Sequence, residues 1–176
     1  MKKVELIKHL YQAGVFKKGR FKLKSGRISN YYIDMRVLVS YPSLLKEVAK
    51  AYVEVLKNLE FDRLVAVPYA ALPIVSAISV VGGYPFIYTR KEKKDYGTKK
   101  LIEGEYKKGE RVIVVDDVIT TGASKLEVIK PLEKEGLVVK DVVVFVDREE
   151  GGKEELERKG YSLWRVMGIG EIKNSK

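Results

Sequence analysis

The sequence of 176 residues contains no cysteine and only one histidine, His9. Without cysteine, the chain has neither disulfides nor a thiolate zinc site. No apolar run approaches the ~20 residues that a helix needs to cross a bilayer, which excludes a membrane span. The N-terminal segment is amphipathic and interrupted by charge, unlike a signal peptide. We therefore expect a cytoplasmic protein with no membrane partner, and a structural role for His9 in the first helix.

The two common nucleotide-binding fingerprints are also missing. No G-x-x-x-x-G-K-[S/T] occurs, and no G-x-G-x-x-G follows a strand pattern. The net charge is +10, but the basic residues are mixed with glutamates along the helices, as in residues 153–159, which is typical of a solvated face. Aromatic and basic residues do not alternate as they do in RNA-binding surfaces. We therefore expect no nucleic-acid partner.

Hydrophobic residues form 45% of the chain, enough for one domain with a buried core. A first helix is expected with Val4, Ile7, Leu10 and Tyr11 on its apolar face and Gly14 at its end. A second helix is expected from Pro42 to about residue 59. Beyond it, strands at 64–67, 85–88, 111–115, 142–146 and 162–166 alternate with helices at 73–81, 123–135 and 153–159. This alternation predicts an α/β fold for residues 40–176, with a parallel sheet flanked by helices. Residues 1–39 do not fit the repeat and are expected to form a small hood over the sheet.

The segment from Arg111 to Ser124 contains the highest concentration of candidate functional residues. A β-branched run leads into Asp116 and Asp117, and a turn rich in hydroxyls and glycine then opens a helix. The backbone N–H groups and hydroxyls of that turn suit a phosphate at a helix N-terminus. Two carboxylates at the C-terminal end of a strand suit sugar hydroxyls or Mg²⁺. The Asp pair alone would fit a plain strand end with a helix cap, but the full arrangement is more specific.

Four other segments carry candidate functional residues. The run from Arg90 to Gly104 fits either a solvated loop or a flap, hinged at glycines, that closes over an anionic leaving group. The segment from Gly19 to Asp34 fits a hairpin whose tyrosines pack on the sheet. Pro73 in the segment Ala66–Pro73 suits the first position of a helix, and the Asp147-Arg148 pair fits a surface pair at a strand end.

Together, these four motifs and the Asp-Asp signature resemble the orotate phosphoribosyltransferases, a branch of the type I phosphoribosyltransferases. The wording Lys-Asp-Tyr-Gly-Thr-Lys and Pro-Tyr-x-Ala-Leu-Pro is nearest to the phosphoribosyltransferase half of bifunctional UMP synthases. The resemblance implies the type I fold, phosphoribosyl pyrophosphate (PRPP) and orotate as substrates, and Mg²⁺ as cofactor. It also implies a homodimer in which the loop Arg90–Gly104 of one subunit closes over the partner's active site.

The resemblance also implies roles for particular residues. Asp116, Asp117, Lys94 and Arg90 would be catalytic, with Mg²⁺ held near the two aspartates through ribose hydroxyls and water. Orotate would contact Thr120, Arg148, Lys24, Tyr32 and Ile33, with the Arg148 guanidinium pairing bidentately with the orotate carboxylate. PRPP would contact Arg90, Lys91, Lys94, Tyr96, Asp116, Asp117, Val118, Ile119, Thr120, Thr121, Gly122, Ala123, Ser124, Lys24, Tyr69 and Ala70.

The chain departs from the bacterial form of the family at two places. Tyr96 stands where a histidine is usual, and Ala70 and Ala71 stand where lysine and glycine are usual. Three alternatives to the orotate enzyme stay open on the sequence. They are a type I phosphoribosyltransferase for uracil or a purine, a PRPP-sensing regulator that binds nucleic acid, and an α/β domain without activity.

Overall fold

A six-stranded sheet forms the centre of the protein in the computed structural model, which describes residues 1–22, 26, 28–90 and 101–175. The strands are β3 (Arg63–Ala66), β4 (Phe86–Thr89), β5 (Ile102–Glu103), β6 (Arg111–Ile119), β7 (Val138–Asp147) and β8 (Ser162–Gly168). Their order in the sheet is β5-β4-β3-β6-β7-β8. All neighbours pair in parallel except β4 and β5. The predicted α/β fold is confirmed, but the sheet is mixed because β5, which the sequence analysis missed, runs antiparallel along one edge.

Within the described ranges, six helices accompany the strands. They are α1 (Lys3–Gln12), α2 (Pro42–Leu56), α3 (Ala71–Gly82), α4 (Ala123–Lys134), α5 (Gly152–Arg158) and α6 (Ile169–Asn174). A 3-10 helix over Met35–Ser40 precedes α2. The described residues contain no helix that is both long and apolar enough to span a bilayer.

A separate two-stranded sheet, β1 (Phe16–Lys22) with β2 (Ile28–Ile33), forms the region predicted as a hood. The two strands pair antiparallel. A backbone hydrogen bond from Asp34 N to Val15 O joins the two chain segments at the base of the hairpin. The division into a hood of residues 1–39 and a core of residues 40–176 stays a prediction.

The apolar face of α1 differs from the expected one. Leu6, Ile7 and Leu10 are buried, whereas Val4 is 67% exposed. At roughly 100° of rotation per residue, Val4 lies about 110° from the centre of the buried arc. The prediction that Val4 packs on the core is therefore wrong.

Two predicted element boundaries differ in ways that affect the site. The strand predicted to end at Val115 continues to Ile119, because Val118 and Ile119 still pair with Val146 and Asp147 of β7. The two aspartates thus lie within β6 rather than after it. Helix α3 begins at Ala71, so Pro73 is its third residue and not its first. Proline is tolerated there because the first-turn N–H groups have no partner within the helix.

Candidate active site

The sheet reverses its direction of winding between β3 and β6. The connection through α3 leads from β3 to β4, toward one edge of the sheet. The connection through α4 leads from β6 to β7, toward the opposite edge. Ligands of open α/β sheets bind at such a switch point, outside the carboxyl ends of the strands. The turns that follow β3 and β6 are the segments Val67–Ala70 and Thr120–Gly122, so the fold brings two of the predicted motifs to one edge.

The turn after β6 and the first residues of α4, Thr120–Ser124, have the form of a phosphate-binding loop and are here named the phosphate loop. Thr120, Thr121, Ala123 and Ser124 are exposed, whereas Gly122 is buried with a left-handed φ of 85° and leads into α4. Glycine adopts this backbone conformation without the steric cost that a Cβ would bring. The exposed hydroxyls and the N-terminus of a twelve-residue helix together suit an anion.

The two aspartates have different environments. Asp116 is 6% exposed, and its two carboxylate oxygens contact the Asp117 backbone N–H at 2.9 Å and the Lys125 ammonium at 2.6 Å. Asp117 is half-buried, and its Oδ1 accepts a hydrogen bond from Val118 N at 2.8 Å. Burial, with the neighbouring Asp116 charge as a second cause, raises the pKa of Asp117 to about 7. The pair therefore offers one carboxylate fixed inside the protein and a second that is more accessible.

Two residues without a predicted role hold this pair. Lys125 is 4% exposed and forms the ion pair with Asp116. Tyr52 of α2 donates its hydroxyl to the Asp116 backbone carbonyl at 2.7 Å, and burial raises its pKa well above the usual value. A lysine in a helix with charged neighbours looks like a surface residue in sequence, so no pattern indicated that Lys125 is buried.

The turn after β3 lies beside the phosphate loop in the sheet order. Val67 N donates to Val115 O, which links this turn to β6. Tyr69 is 64% exposed, Ala70 is half-buried, and the peptide bond between Pro68 and Tyr69 is cis. Tyr69 and Ala70 thus stand at the edge where their PRPP contact is predicted.

Arg148 lies at the end of β7, directly beside the phosphate loop. Its backbone N–H donates to Ile119 O at 3.0 Å, and its side chain is buried. Nε donates to Glu150 at 2.9 Å, Nη2 donates to Ser29 Oγ at 3.3 Å, and the guanidinium lies 4.9 Å from the centre of the Tyr31 ring. The Ser29 contact joins β2 to the end of β7. Ser29 belongs to the predicted hairpin motif, but no pattern in the sequence predicted a role for it.

The remaining predicted residues are brought to the site less directly. Tyr32 and Ile33 are half-buried and help to line a cleft of about 370 Å³ between the hairpin and α6. Arg90 is half-buried, and its Nη1 pairs with Glu103 at 3.0 Å, while its buried Nε has no hydrogen-bond partner in the described part of the chain. The predicted contacts of Lys24, Lys91, Lys94 and Tyr96 lie outside the described residues.

The carboxylates available at the site show how the implied Mg²⁺ would be held. The described ranges contain no group of three or more acidic or histidine side chains placed to hold a metal. One carboxylate already pairs with Lys125, whereas Mg²⁺ usually binds through one or two carboxylates, substrate phosphates and several waters. The residues therefore fit a Mg²⁺ held largely by a bound polyphosphate, with Asp117 as the nearest accessible carboxylate.

Comparison with known proteins gives consistent matches. The family model described as "Phosphoribosyl transferase domain" matches residues 38–164. Uridine 5'-monophosphate synthase of Bos taurus is 43% identical over 169 residues, covering 95% of this chain and 35% of that protein. Orotate phosphoribosyltransferase of Pyrococcus abyssi is 41% identical over 172 residues, covering 97% of this chain and 94% of that one. The UMP synthase structure of Leishmania donovani has a TM-score of 0.90 at 45% identity, covering 98% of this chain and 37% of that one.

The fold, the site and these matches place the chain in the phosphoribosyltransferase family. The chain spans about a third of the length of the UMP synthases that it matches, but nearly all of the Pyrococcus protein. Within the family it belongs to the orotate phosphoribosyltransferases, as the sequence motifs indicated.

Proposed function

We propose that the protein transfers the 5-phosphoribosyl group of PRPP to orotate, giving orotidine 5′-monophosphate and pyrophosphate in pyrimidine synthesis. One observation carries this proposal. The Arg148 backbone N–H donates to Ile119 O at 3.0 Å, so the residue that carries a guanidinium suited to a carboxylate lies next to a loop suited to a phosphate. A base with a carboxylate and a sugar phosphate are the two partners that such a pair of sites would join.

The phosphoribosyl group would be held by β6 and the turn that follows it. The 5-phosphate would accept hydrogen bonds from the backbone N–H groups and hydroxyls of Thr120–Ser124. Asp117 would bind the ribose hydroxyls, with Val118 and Ile119 beside them. Asp116 would support Asp117 from its buried position. Bound Mg²⁺ would neutralise charge on the pyrophosphate as it leaves. The side chains otherwise act by position and electrostatics, since departure of pyrophosphate leaves positive charge on the ribose ring.

Orotate would lie between the end of β7 and the hairpin. Arg148, already oriented by Glu150 and Ser29, would receive the carboxylate. Lys24, Tyr32 and Ile33 would flank the ring, and the backbone near Thr120 would orient it. N1 of orotate would then attack C1 of the ribose as the bond to pyrophosphate breaks. A guanidinium that selects the carboxylate would separate orotate from uracil.

The pyrophosphate would be received by the turn after β3 and by the loop after β4. Tyr69 and Ala70 would approach it from the first, and Arg90, Lys91, Lys94 and Tyr96 from the second. The buried Nε of Arg90 has no partner within the described ranges, which supports an anion as its partner. We further propose that the protein works in the cytoplasm as a homodimer that shares this loop between subunits.

A panel of bases tests the proposal. Orotate, uracil, adenine and hypoxanthine would each be supplied with PRPP and Mg²⁺, and consumption of each base would be followed by its absorbance. We expect consumption of orotate alone. Turnover of another base in place of orotate would assign a different phosphoribosyltransferase activity. Salt-dependent binding of nucleic acid with no turnover of any base would support a regulator.

A further inference from the structure

Lys125 is a buried cation in the first turn of α4. Its side chain is 5% exposed, and lysine is rarely buried to this extent unless it is paired. The ammonium lies 2.6 Å from Asp116 Oδ2, 2.6 Å from Val118 O and 3.3 Å from Ser124 Oγ. An ammonium has three donors, so these three contacts account for all of them.

Stability alone does not explain a lysine at this position. A positive charge in the first turn of a helix opposes the helix dipole. Burying an ion pair also removes two charges from water, and well-packed apolar residues of similar volume often serve stability as well or better. A methionine would match the length of the lysine side chain without either cost.

The contacts of Lys125 lie at both ends of the phosphate loop. Val118 precedes the turn and Ser124 follows it, so one ammonium joins the two sides of the segment that would cradle a phosphate. The third contact draws Asp116 inward, while Asp117 N–H contacts the other carboxylate oxygen. Asp116 is thereby engaged within the protein, and Asp117 is the more exposed of the two carboxylates.

We propose that Lys125 is a positioning residue of the PRPP site. It holds the loop from Val118 to Ser124 in the conformation that receives the 5-phosphate, and it fixes Asp116 so that Asp117 faces the ribose hydroxyls. This inference rests on the proposed function for the identity of the ligand. It concerns PRPP alone, so it can be tested without orotate.

Titration calorimetry of PRPP with Mg²⁺ would test the proposal on the full chain. We expect Lys125→Met to weaken PRPP binding at least tenfold, while the KM of orotate at saturating PRPP stays within twofold of wild type. Lys130→Met is the matched control, because Lys130 is exposed on the same helix, and it should leave both values unchanged. PRPP affinity within twofold of wild type in a folded Lys125→Met protein would overturn the proposal.

A second variant covers the case in which Lys125→Met does not fold because Asp116 is left as an unpaired buried charge. The double variant Asp116→Asn with Lys125→Met removes both charges and should fold. We expect its PRPP affinity to stay at least tenfold below that of Asp116→Asn alone, because only the double variant also loses the contacts of Lys125 to Val118 and Ser124. An affinity equal to that of Asp116→Asn alone would mean that Lys125 only compensates the Asp116 charge, and the positioning role would be wrong. If wild type binds PRPP but does not consume orotate, the proposed function fails while this test still stands.

Discussion

Arg148 is held on three sides by the protein itself. Its Nε and Nη2 donate to Glu150 and Ser29, and its guanidinium lies against the Tyr31 ring. A lysine would keep the charge, but an ammonium has no planar fork with which to keep these contacts and also pair bidentately with a carboxylate. The orientation of the charge, and not the charge alone, should therefore decide how well orotate binds.

Replacing Arg148 with lysine tests whether the orientation of the charge decides orotate binding. We expect Arg148→Lys to raise the KM of orotate about 10- to 100-fold, because hydrogen bonds to charged groups contribute roughly 1.5–3 kcal/mol, and to change the KM of PRPP less than twofold. Steady-state kinetics with each substrate varied in turn would measure both. Arg158→Lys, on the exposed surface of α5, should change neither value. An equal rise in both KM values would mean that the role of Arg148 is misassigned.

The negative charge of Asp117 is disfavoured in the folded protein. Burial and the Asp116 charge raise its pKa to about 7, whereas in an unfolded chain an aspartate titrates near its ordinary value of about 3.9. The folded state is therefore not penalised below the unfolded pKa. The penalty grows as the pH rises above that value and is complete once the pH has passed the folded pKa.

Asp117→Asn should remove this penalty. In metal-free buffer we expect the variant to gain more unfolding free energy over wild type at pH 8 than at pH 5, by about 2 kcal/mol. Urea denaturation at the two pH values would measure it. Glu127→Gln removes an exposed carboxylate from α4 and should show no such pH dependence. If Asp117→Asn gains as much at pH 5 as at pH 8, the pKa of Asp117 is not raised.

Among the elements, the start of α5 supports the phosphate loop from behind. A Cβ on Gly152 would lie 2.5 Å from the Thr120 carbonyl oxygen and 2.7 Å from the Ile119 side chain. Both neighbours belong to the end of β6 and its turn, so only a glycine lets α5 approach this closely. The position of the loop thus depends on a helix that contributes no predicted ligand contact.

Gly152→Ala should therefore displace the loop. We expect the KM of PRPP to rise about tenfold or more, since a shift of about 1 Å in a binding group can cost as much as a hundredfold in rate. Gly170→Ala is a suitable control, because a Cβ there would meet only Glu149, at 3.8 Å. Kinetics of both variants at saturating orotate would make the comparison. An unchanged KM for Gly152→Ala would show that the loop tolerates the displacement.

How far the sequence predicts each element depends on its length and polarity. The long apolar strands and the helices with a clear apolar face were located to within a few residues. β6 was predicted too short because the aspartates broke its apolar run, although β7 continues to pair with it. β5 and α6 were missed, because two and six residues are too few for a periodic pattern.

The residues of the site could likewise be predicted from the sequence only in part. The phosphate loop, the aspartates and Arg148 carry local signatures and could be recognised in the sequence. Lys125, Tyr52, Ser29 and Gly152 could not, because their importance lies in contacts between segments that are far apart in the chain. Ser29 and Arg148, for example, are separated by 119 positions.

In the molecule as a whole, the two ends of the chain meet beside the hairpin. Lys3 of α1 pairs with Glu171 of α6 at 2.7 Å, and the Tyr11 hydroxyl donates to Ile172 O. Lys173 of α6 in turn lies 4.5 Å from the centre of the Tyr31 ring, the ring that also packs on Arg148. The proposed base site thus lies between the sheet and the N-terminal hairpin, whose Tyr31 ring also contacts the C-terminal helix.

The proposed sharing of the loop Arg90–Gly104 between subunits can be tested by mixing two inactive variants. Lys94→Ala would remove a charge from the loop, and Asp117→Asn would disable the site that receives it. If the loop acts on the partner's site, the mixed dimer has one intact site. An equal mixture that has exchanged subunits should then regain roughly a quarter of the wild-type activity. No recovery after complete exchange would place the loop over its own subunit's site.

The most direct test of the account follows orotate and pyrophosphate together. When PRPP and Mg²⁺ are added to the protein with orotate, the ultraviolet absorbance of orotate should fall. One pyrophosphate should be released for each orotate consumed, because the same step forms one bond and breaks the other. Constant orotate absorbance, or pyrophosphate release without loss of orotate, would contradict the account.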